Sequence, residues 1–223
     1  MKVLNLYAGG GGNRKLWENV EVTAVEMDPD IAKVYQEFFP DDKVIVDDAH
    51  QYLLDHYKKY DFIWSSPPCP THSVTNHFLN PQGVVRYPDM SLWQEIIFLK
   101  TWSFGKWVVE NVKSYYDPLY TPYELERHYF WANFYITPFN TNRKFNIANA
   151  RTTTRLENEE YDHSLEQYHG FKIPDWFQNK RLILRNMVYP PLGKHVLDCA
   201  RGNTQVSLSE FRTKLSLCVE DKE

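Results

Sequence analysis

Three short strings in this 223-residue chain bring together residue types that can do chemistry: Tyr7-Ala8-Gly9-Gly10-Gly11-Gly12, Pro67-Pro68-Cys69 and Glu110-Asn111-Val112. Each follows an apolar, strand-like run. A thiolate is a strong nucleophile, and two prolines stiffen the approach to Cys69. A carboxyl group can deliver a proton or a strong hydrogen bond. Glu110 closes the apolar run Trp107-Val108-Val109, where burying an idle charge is costly, and Asn111 is expected to hold the adjoining loop. The pair suits addition of sulfur to an electron-poor ring while the carboxyl protonates a ring nitrogen. Each residue also has an ordinary reading. A lone cysteine is commonly a small buried hydrophobe, and a lone glutamate a solvated charge.

The elements that must position these strings alternate. Val3–Tyr7, Val22–Glu26, Val44–Val46, Asp61–Trp64 and Trp107–Glu110 read as buried strands. Gly12–Asn19, Pro29–Phe38, Ala49–Lys58 and Ser91–Phe104 read as helices, the second opened by an Asp28 N-cap and a proline at the first helical position. This rhythm predicts an α/β fold with a doubly wound, mostly parallel sheet and right-handed crossovers. The pattern changes after Glu110. His128–Ile136 reads as an aromatic strand, and a polar stretch of low periodicity runs from Asn140 to about Asn179. Regularity returns in Arg181–Val188, and Tyr189-Pro190-Pro191-Leu192-Gly193 leads into helical stretches Lys194–Ala200 and Val206–Leu217. The expected organisation is a catalytic domain over residues 1–138 and 189–223, interrupted by a short irregular lobe over residues 139–188.

The glycine turn has the form of a cofactor site. Glycines admit a tight turn and close backbone approach to a ligand, and a helix opening there would offer free N–H groups. By itself the turn does not separate nucleotides, flavins and S-adenosylmethionine. The second strand ends Val25-Glu26-Met27-Asp28, placing a carboxylate where ribose hydroxyls could be held. The third ends Val46-Asp47-Asp48-Ala49, where Asp48 could accept from an adenine amino group or simply cap the next helix. No Gly-Lys-Ser/Thr phosphate loop is present, which disfavours a nucleoside triphosphate. Glycine turn, Glu26 and Asp48 on three successive strand ends point to S-adenosylmethionine. With that cofactor, attack of Cys69 on C6 of cytosine, aided by Glu110 at N3, would make C5 nucleophilic toward the sulfonium methyl.

Taken in order, these motifs resemble the DNA cytosine-5 methyltransferase family. Tyr7 to Gly12 is similar to its aromatic-x-Gly-x-Gly-Gly cofactor motif, Pro67-Pro68-Cys69 to its nucleophile motif, and Glu110-Asn111-Val112 is its Glu-Asn-Val motif. The resemblance covers Met1–Ile136 and Pro190–Ala200. It implies a Rossmann-like class I methyltransferase fold with Cys69 as nucleophile and Glu110 as acid. It implies cofactor contacts from Tyr7, Ala8, Gly9, Gly10, Gly11, Gly12, Glu26, Met27, Asp48 and Pro67, with Met27 stacked on the adenine. Gly193-Lys194-His195-Val196 is similar to the C-terminal motif that closes the cofactor site, so His195 and Val196 join that set. Two departures stand out. Pro70 replaces the glutamine after the cysteine, and the Gln-x-Arg-x-Arg motif is missing. Arg127, before the aromatic strand, is the candidate for its base-contacting arginine, or else a cation at a helix C-terminus. Ser73, Arg86, Arg143, Arg151 and Arg155 are the candidate DNA contacts. The recognition segment is about forty residues long, so a short or degenerate target of about two to four base pairs is expected.

Bulk properties set limits. The hydrophobic fraction of 43% and the aromatic fraction of 16% can supply a core. No apolar run approaches the ~20 residues of a membrane span, and the N-terminus reads as a strand, not a signal peptide. Three cysteines (Cys69, Cys199 and Cys218) are too few for a disulfide framework, which favours a reducing, cytoplasmic setting. Net charge is −4, yet Asn140–Pro190 holds eight Lys/Arg against six Asp/Glu, and the remainder seventeen against twenty-three. That asymmetry fits a phosphate-facing lobe or a solvated loop of mixed charge equally well. The expected partner is double-stranded DNA, bound by a monomer without metal. Three alternatives remain: an exocyclic amino methyltransferase, for which Ser66-Pro67-Pro68 is the only support; the tRNA-methylating branch of the same family; and a catalytically weak DNA-binding relative.

Overall fold

The computed structural model describes residues 1–140 and 155–202. Five parallel strands form the body of one sheet: β1 (Lys2–Leu6), β2 (Glu21–Glu26), β3 (Lys43–Val46), β4 (Phe62–Ser65) and β5 (Lys106–Val112). β6 (Tyr123–Leu125) and β7 (His128–Ala132) complete the order β3-β2-β1-β4-β5-β7-β6, with β7 antiparallel to both β5 and β6. The expected doubly wound α/β sheet is present. The aromatic strand ends at Ala132, four residues before the expected limit.

Helices α1 (Pro29–Phe38), α2 (Ala49–His56), α3 (Asn76–Leu79) and α4 (Ser91–Trp102) connect the strands. Asp28 caps α1 by accepting from the N–H groups of Asp30 and Ile31. Two apolar layers cover the sheet. One gathers Val3, Trp17, Phe62, Trp64, Phe130, Leu192 and Val196, and the other Leu4, Leu6, Leu53, Ile63, Leu92, Leu99 and Val109.

The expected helix over residues 12–19 does not form; the segment is a series of turns. Its side chains bond elsewhere. Arg14 grips Asp42 through two N–H groups at 2.8 and 2.9 Å. Asn13 exchanges hydrogen bonds with the buried Asn5. The Trp17 indole donates to the Gly193 carbonyl at 3.0 Å. That carbonyl belongs to α7 (Pro190–Arg201), whose Leu192 and Val196 share an apolar layer with Trp17. The helix N-terminus proposed as an anion site is therefore absent from the glycine turn.

The lobe is more regular than its composition indicates. It carries α5 (Arg155–His169) and α6 (Lys180–Asn186), and Leu165, Phe171, Ile173, Phe177, Leu184 and Met187 form an apolar cluster that docks on Val34 of α1. The expected C-terminal stretch Val206–Leu217, together with Arg143, Arg151 and Cys218, lies outside the described residues, as does the side chain of Arg155.

The glycines report this packing directly. A Cβ on Gly10 would meet the Met187 methyl at 2.0 Å, and one on Gly12 would meet the Val188 carbonyl oxygen at 2.4 Å. The lobe thus sits against the turn because the turn has no side chains. Since a backbone carbonyl cannot rotate away, Gly12→Ala is expected to destabilise the fold by about 1–3 kcal/mol. Urea unfolding checks this, and an unchanged midpoint contradicts it.

Candidate active site

The carboxyl ends of β1, β2, β4 and β5 converge on one edge, as parallel strands require. Cys69 follows β4. Asn111 at the end of β5 donates to the Pro67 carbonyl at 2.9 Å and fixes the proline approach, as expected. Beyond the thiol, the N–H groups of His72 and Ser73 donate to the Cys69 carbonyl, and Asn76 donates to the Pro70 carbonyl. The buried His72 meets the Tyr116 hydroxyl at 2.6 Å, and the N–H of Tyr115 donates to the His72 carbonyl. The cysteine loop is therefore clamped to the chain that leaves β5. Ser73 is half-buried in that clamp, where its hydroxyl accepts from Thr75.

Glu110 is 6% exposed. Burial raises its carboxyl to about 7, opposed by a hydrogen bond from Ser66 and by the Arg127 charge. Ser66 in turn accepts the Trp64 indole N–H at 2.8 Å. A carboxyl at that value is half protonated near neutral pH and can act as an acid there. The Cys69 thiol is pushed up by burial and then by the Glu110 charge, while its own backbone N–H and Arg127 oppose the rise. Thiol, carboxyl and guanidinium thus feel one another.

Arg127 occupies a β6–β7 hairpin turn, so its alternative reading as a helix-terminal cation fails. It lines a cleft of about 1200 Å³ with Cys69, Ser73, Arg86, Lys113 and Arg185, facing Lys180 and Arg181 of α6. Lys113, Lys180 and Arg181 pair with Glu124, Asp175 and Asp162. Arg127 donates one N–H to the Arg185 carbonyl.

The cofactor residues divide. Glu26 accepts from the N–H of Gly9 at 2.9 Å and of Asp28 at 3.0 Å, one bond on each oxygen, and keeps lone pairs for hydroxyl donors. Met27 is 61% exposed beside it. Gly9 holds φ +52°, and a Cβ there would meet nothing closer than 4.0 Å. Of Gly9 to Gly12 it is Gly9 that borders open space; a Cβ on Gly10, Gly11 or Gly12 would strike the protein itself. Asp48 caps α2, accepting from Gln51 N–H at 2.8 Å, and is exposed. Ala8 and Pro67 are buried at the same edge. Two residues of this set sit elsewhere. Val196 is wholly buried in the core, and His195 faces the chain after β7, 2.9 Å from the Thr137 carbonyl. The segment that does abut the glycine turn is Ile183, Met187 and Val188.

Two functional candidates escaped the sequence reading. Glu95 of α4 is fully buried and accepts from the Tyr7 hydroxyl and the Ser65 hydroxyl, each at 2.5 Å, with His50 Nδ1 at 3.1 Å. Burial and Glu95 hold the Tyr7 phenol far above its usual range, and the bond to Glu95 raises the His50 imidazole. The available signal was a glutamate among Leu92, Ile96 and Leu99, the apolar face of a helix. The second is His128, 5% exposed, with Nε2 3.6 Å from Glu110 Oε1. Strand parity carried that signal, because His128 opposes Val112 and Phe130 opposes Glu110, so all four share one face.

Residues 1–118, just over half of the chain, match the family described as C-5 cytosine-specific DNA methylase. The chain belongs to that family. Among solved structures, the Entamoeba histolytica methyltransferase EhMeth aligns over 92% of this chain and 99% of its own, at 10% identity and a TM-score of 0.57, a likeness of fold. A DNMT2 variant from Spodoptera frugiperda aligns over 50% of this chain and 33% of its own, at 24% identity and a TM-score of 0.35. No curated protein matches the chain. Among the described residues, no group of three or more His, Cys, Asp or Glu could hold a metal ion, and no helix is long and apolar enough to cross a membrane.

The coupling of Cys69 to its neighbours has a direct consequence. A negative Glu110 disfavours the thiolate, so Glu110→Gln lowers the thiol pKa, whereas Arg127→Ala raises it. Alkylation of Cys69 by iodoacetamide near pH 8, followed on its peptide by mass spectrometry, is expected to be faster than wild type in the first variant and slower in the second. Equal rates in all three proteins contradict the shared electrostatics.

Proposed function

We propose that this methyltransferase-family chain methylates C5 of cytosine in double-stranded DNA, with Cys69 as nucleophile. The observation that carries the reading is a thiol that lines a cleft with Arg86, Arg127 and Arg185, its proline approach held by Asn111, the residue next to the buried Glu110 on β5. The target nucleotide leaves the stack, because C6 is out of reach inside a duplex. The Cys69 thiol gives its proton to solvent, and its sulfur bonds to C6 as the C5=C6 double bond opens and the Glu110 proton moves to N3, which makes C5 the electron-rich centre. Once C5 carries the methyl group, its proton passes to a solvent base, the C5–H electron pair re-forms C5=C6 as the C6–S bond breaks, and the N3 proton returns to Glu110. Arg86, Arg127 and Arg185 suit phosphate contacts along the cleft, and Ser73 lies beside them.

S-adenosylmethionine supplies an electrophilic methyl group when bound. The residues at the strand ends fit it. The lone pairs left on Glu26 can accept from ribose hydroxyls, exposed Met27 offers a face for the adenine, and Gly9 leaves room for close backbone approach. Asp48 keeps one carboxylate oxygen beyond its capping bond for an amino donor.

Cys69→Ala is expected to bind S-adenosylmethionine as wild type does by calorimetry and to lose methyl transfer to plasmid DNA. Duplex DNA carrying 5-fluorocytosine is expected to give a denaturant-stable adduct with wild type alone, since fluorine cannot leave as the C5 proton does. Turnover by the alanine variant at a rate comparable to wild type overturns the thiol assignment. Transfer to tRNA in place of DNA overturns the substrate.

The recognition segment is only about forty residues long in sequence, so we expect a short target of about two to four base pairs. Bisulfite sequencing of plasmid DNA methylated in vitro would map it. Strict methylation of a site of six or more defined base pairs rules this out.

A further inference from the structure

The reaction proposed above asks Glu110 to present a proton to a ring nitrogen, yet nothing in Glu-Asn-Val explains what aims the carboxyl. A carboxyl has two oxygens and rotates about its terminal bond, so an acid that must serve one ring position needs its other oxygen held. Both oxygens of Glu26 are held by backbone N–H groups, whereas Glu110 lies against side chains. On one side stands the Ser66 hydroxyl. On the other stands His128, buried on the same face of the antiparallel β5–β7 pair, its Nε2 3.6 Å from Oε1.

The imidazole of His128 has one neighbour to satisfy. Its Nδ1 is buried without a hydrogen-bond partner. Placing the ring proton on Nε2 lets it point at Oε1 and leaves only a lone pair at Nδ1; the other tautomer would bury an unused donor. At 3.6 Å the contact is longer than a hydrogen bond, the condition of many catalytic contacts before substrate enters. We propose that His128 is a positioning residue for Glu110, its Nε2–H holding Oε1 so that Oε2 carries the proton toward the base in the cleft.

The surroundings make the ring suitable for this. Burial and the nearby Arg127 depress the imidazole to about 3, so it stays neutral through the working range and does not itself donate a second proton. The charged and titratable groups around the pair are Glu110 from β5, Arg127 from the hairpin turn and Cys69 from the loop after β4. The Phe130 ring lies 6.3 Å from the imidazole and leaves that side apolar. A donor on Oε1 stabilises the carboxylate, so removing it raises the Glu110 pKa. The active form of Glu110 is protonated, so the alkaline limb of the rate profile moves to higher pH, even as the rate itself falls for want of aim.

The proposal rests on the reading of Glu110 as the acid, and two measurements separate their failures. The first needs no substrate: the carboxyl stretch of protonated Glu110 in the infrared, assigned by its loss in Glu110→Gln, is titrated in wild type, His128→Leu and His128→Gln. The Leu variant is expected to titrate at higher pH than wild type, with Gln, which keeps an N–H donor, between them. The second is single-turnover methylation of plasmid DNA against pH. Here the Leu variant is expected to lose roughly tenfold or more with its alkaline limb moved upward, and Gln to recover part of the rate, while S-adenosylmethionine binds all three alike. If the Leu variant does not fold, the Gln variant against wild type decides by the same two shifts. A Glu110 band that titrates identically in all folded proteins overturns the role of His128. A band that shifts while wild type transfers no methyl group to DNA leaves the pairing standing and overturns the reaction.

Discussion

One buried carboxyl group ties the carboxyl ends of β1 and β4 to α2. Glu95 reaches from α4 into the region where β1, β4 and α2 meet, and it receives the hydroxyl of Tyr7, the hydroxyl of Ser65 and the imidazole of His50. A polar group wholly out of water is costly unless its hydrogen bonds are made, and both oxygens of Glu95 are engaged. Tyr7 sits at φ +54°, a conformation that non-glycine residues seldom adopt. Its bond to Glu95 helps keep it there. Tyr7 opens the glycine turn and Ser65 ends β4 two residues before Pro67, so the same carboxyl group ties both segments to α4.

The described residues 155–188 and the glycine turn pack together. Gly10 and Gly12 let Met187 and Val188 lie against the turn, and Lys15 reaches from the turn segment to the carbonyls of His169 and Gly170 at the end of α5 while covering the Phe171 ring. Burial lowers the Lys15 ammonium in this setting. The cleft lies between the Cys69 loop and α6 with its cations.

Burial sorts the titratable groups of the site by kind. It lifts Glu110 toward neutrality and depresses His128 and His72, because removing water penalises whichever form carries charge. The outcome is a carboxyl raised to about 7 with the depressed imidazole of His128 3.6 Å away. Burial raises the Cys69 thiol for the same reason.

Much of this was legible in the order of residues. Alternating apolar runs and capped helices fixed the parallel sheet, since period-2 and period-3.6 patterns and the Asp28-Pro29 start are local properties. The three strings marked the right strand ends, and Asn111 was correctly read as the loop's anchor. Local pattern failed where partners came from far along the chain. Residues 12–19 have a helical pattern, yet Arg14, Asn13 and Trp17 bond to Asp42, Asn5 and Gly193, and α7 packs against the Asn13 backbone at Gly193. Val196 matched a cofactor motif, but its helix turns it into the core. Glu95 and His128 were hidden for the same reason. A glutamate on an apolar helix face and a histidine in an aromatic strand become functional candidates only when packing brings Tyr7 and Ser65 to the one and Glu110 to the other.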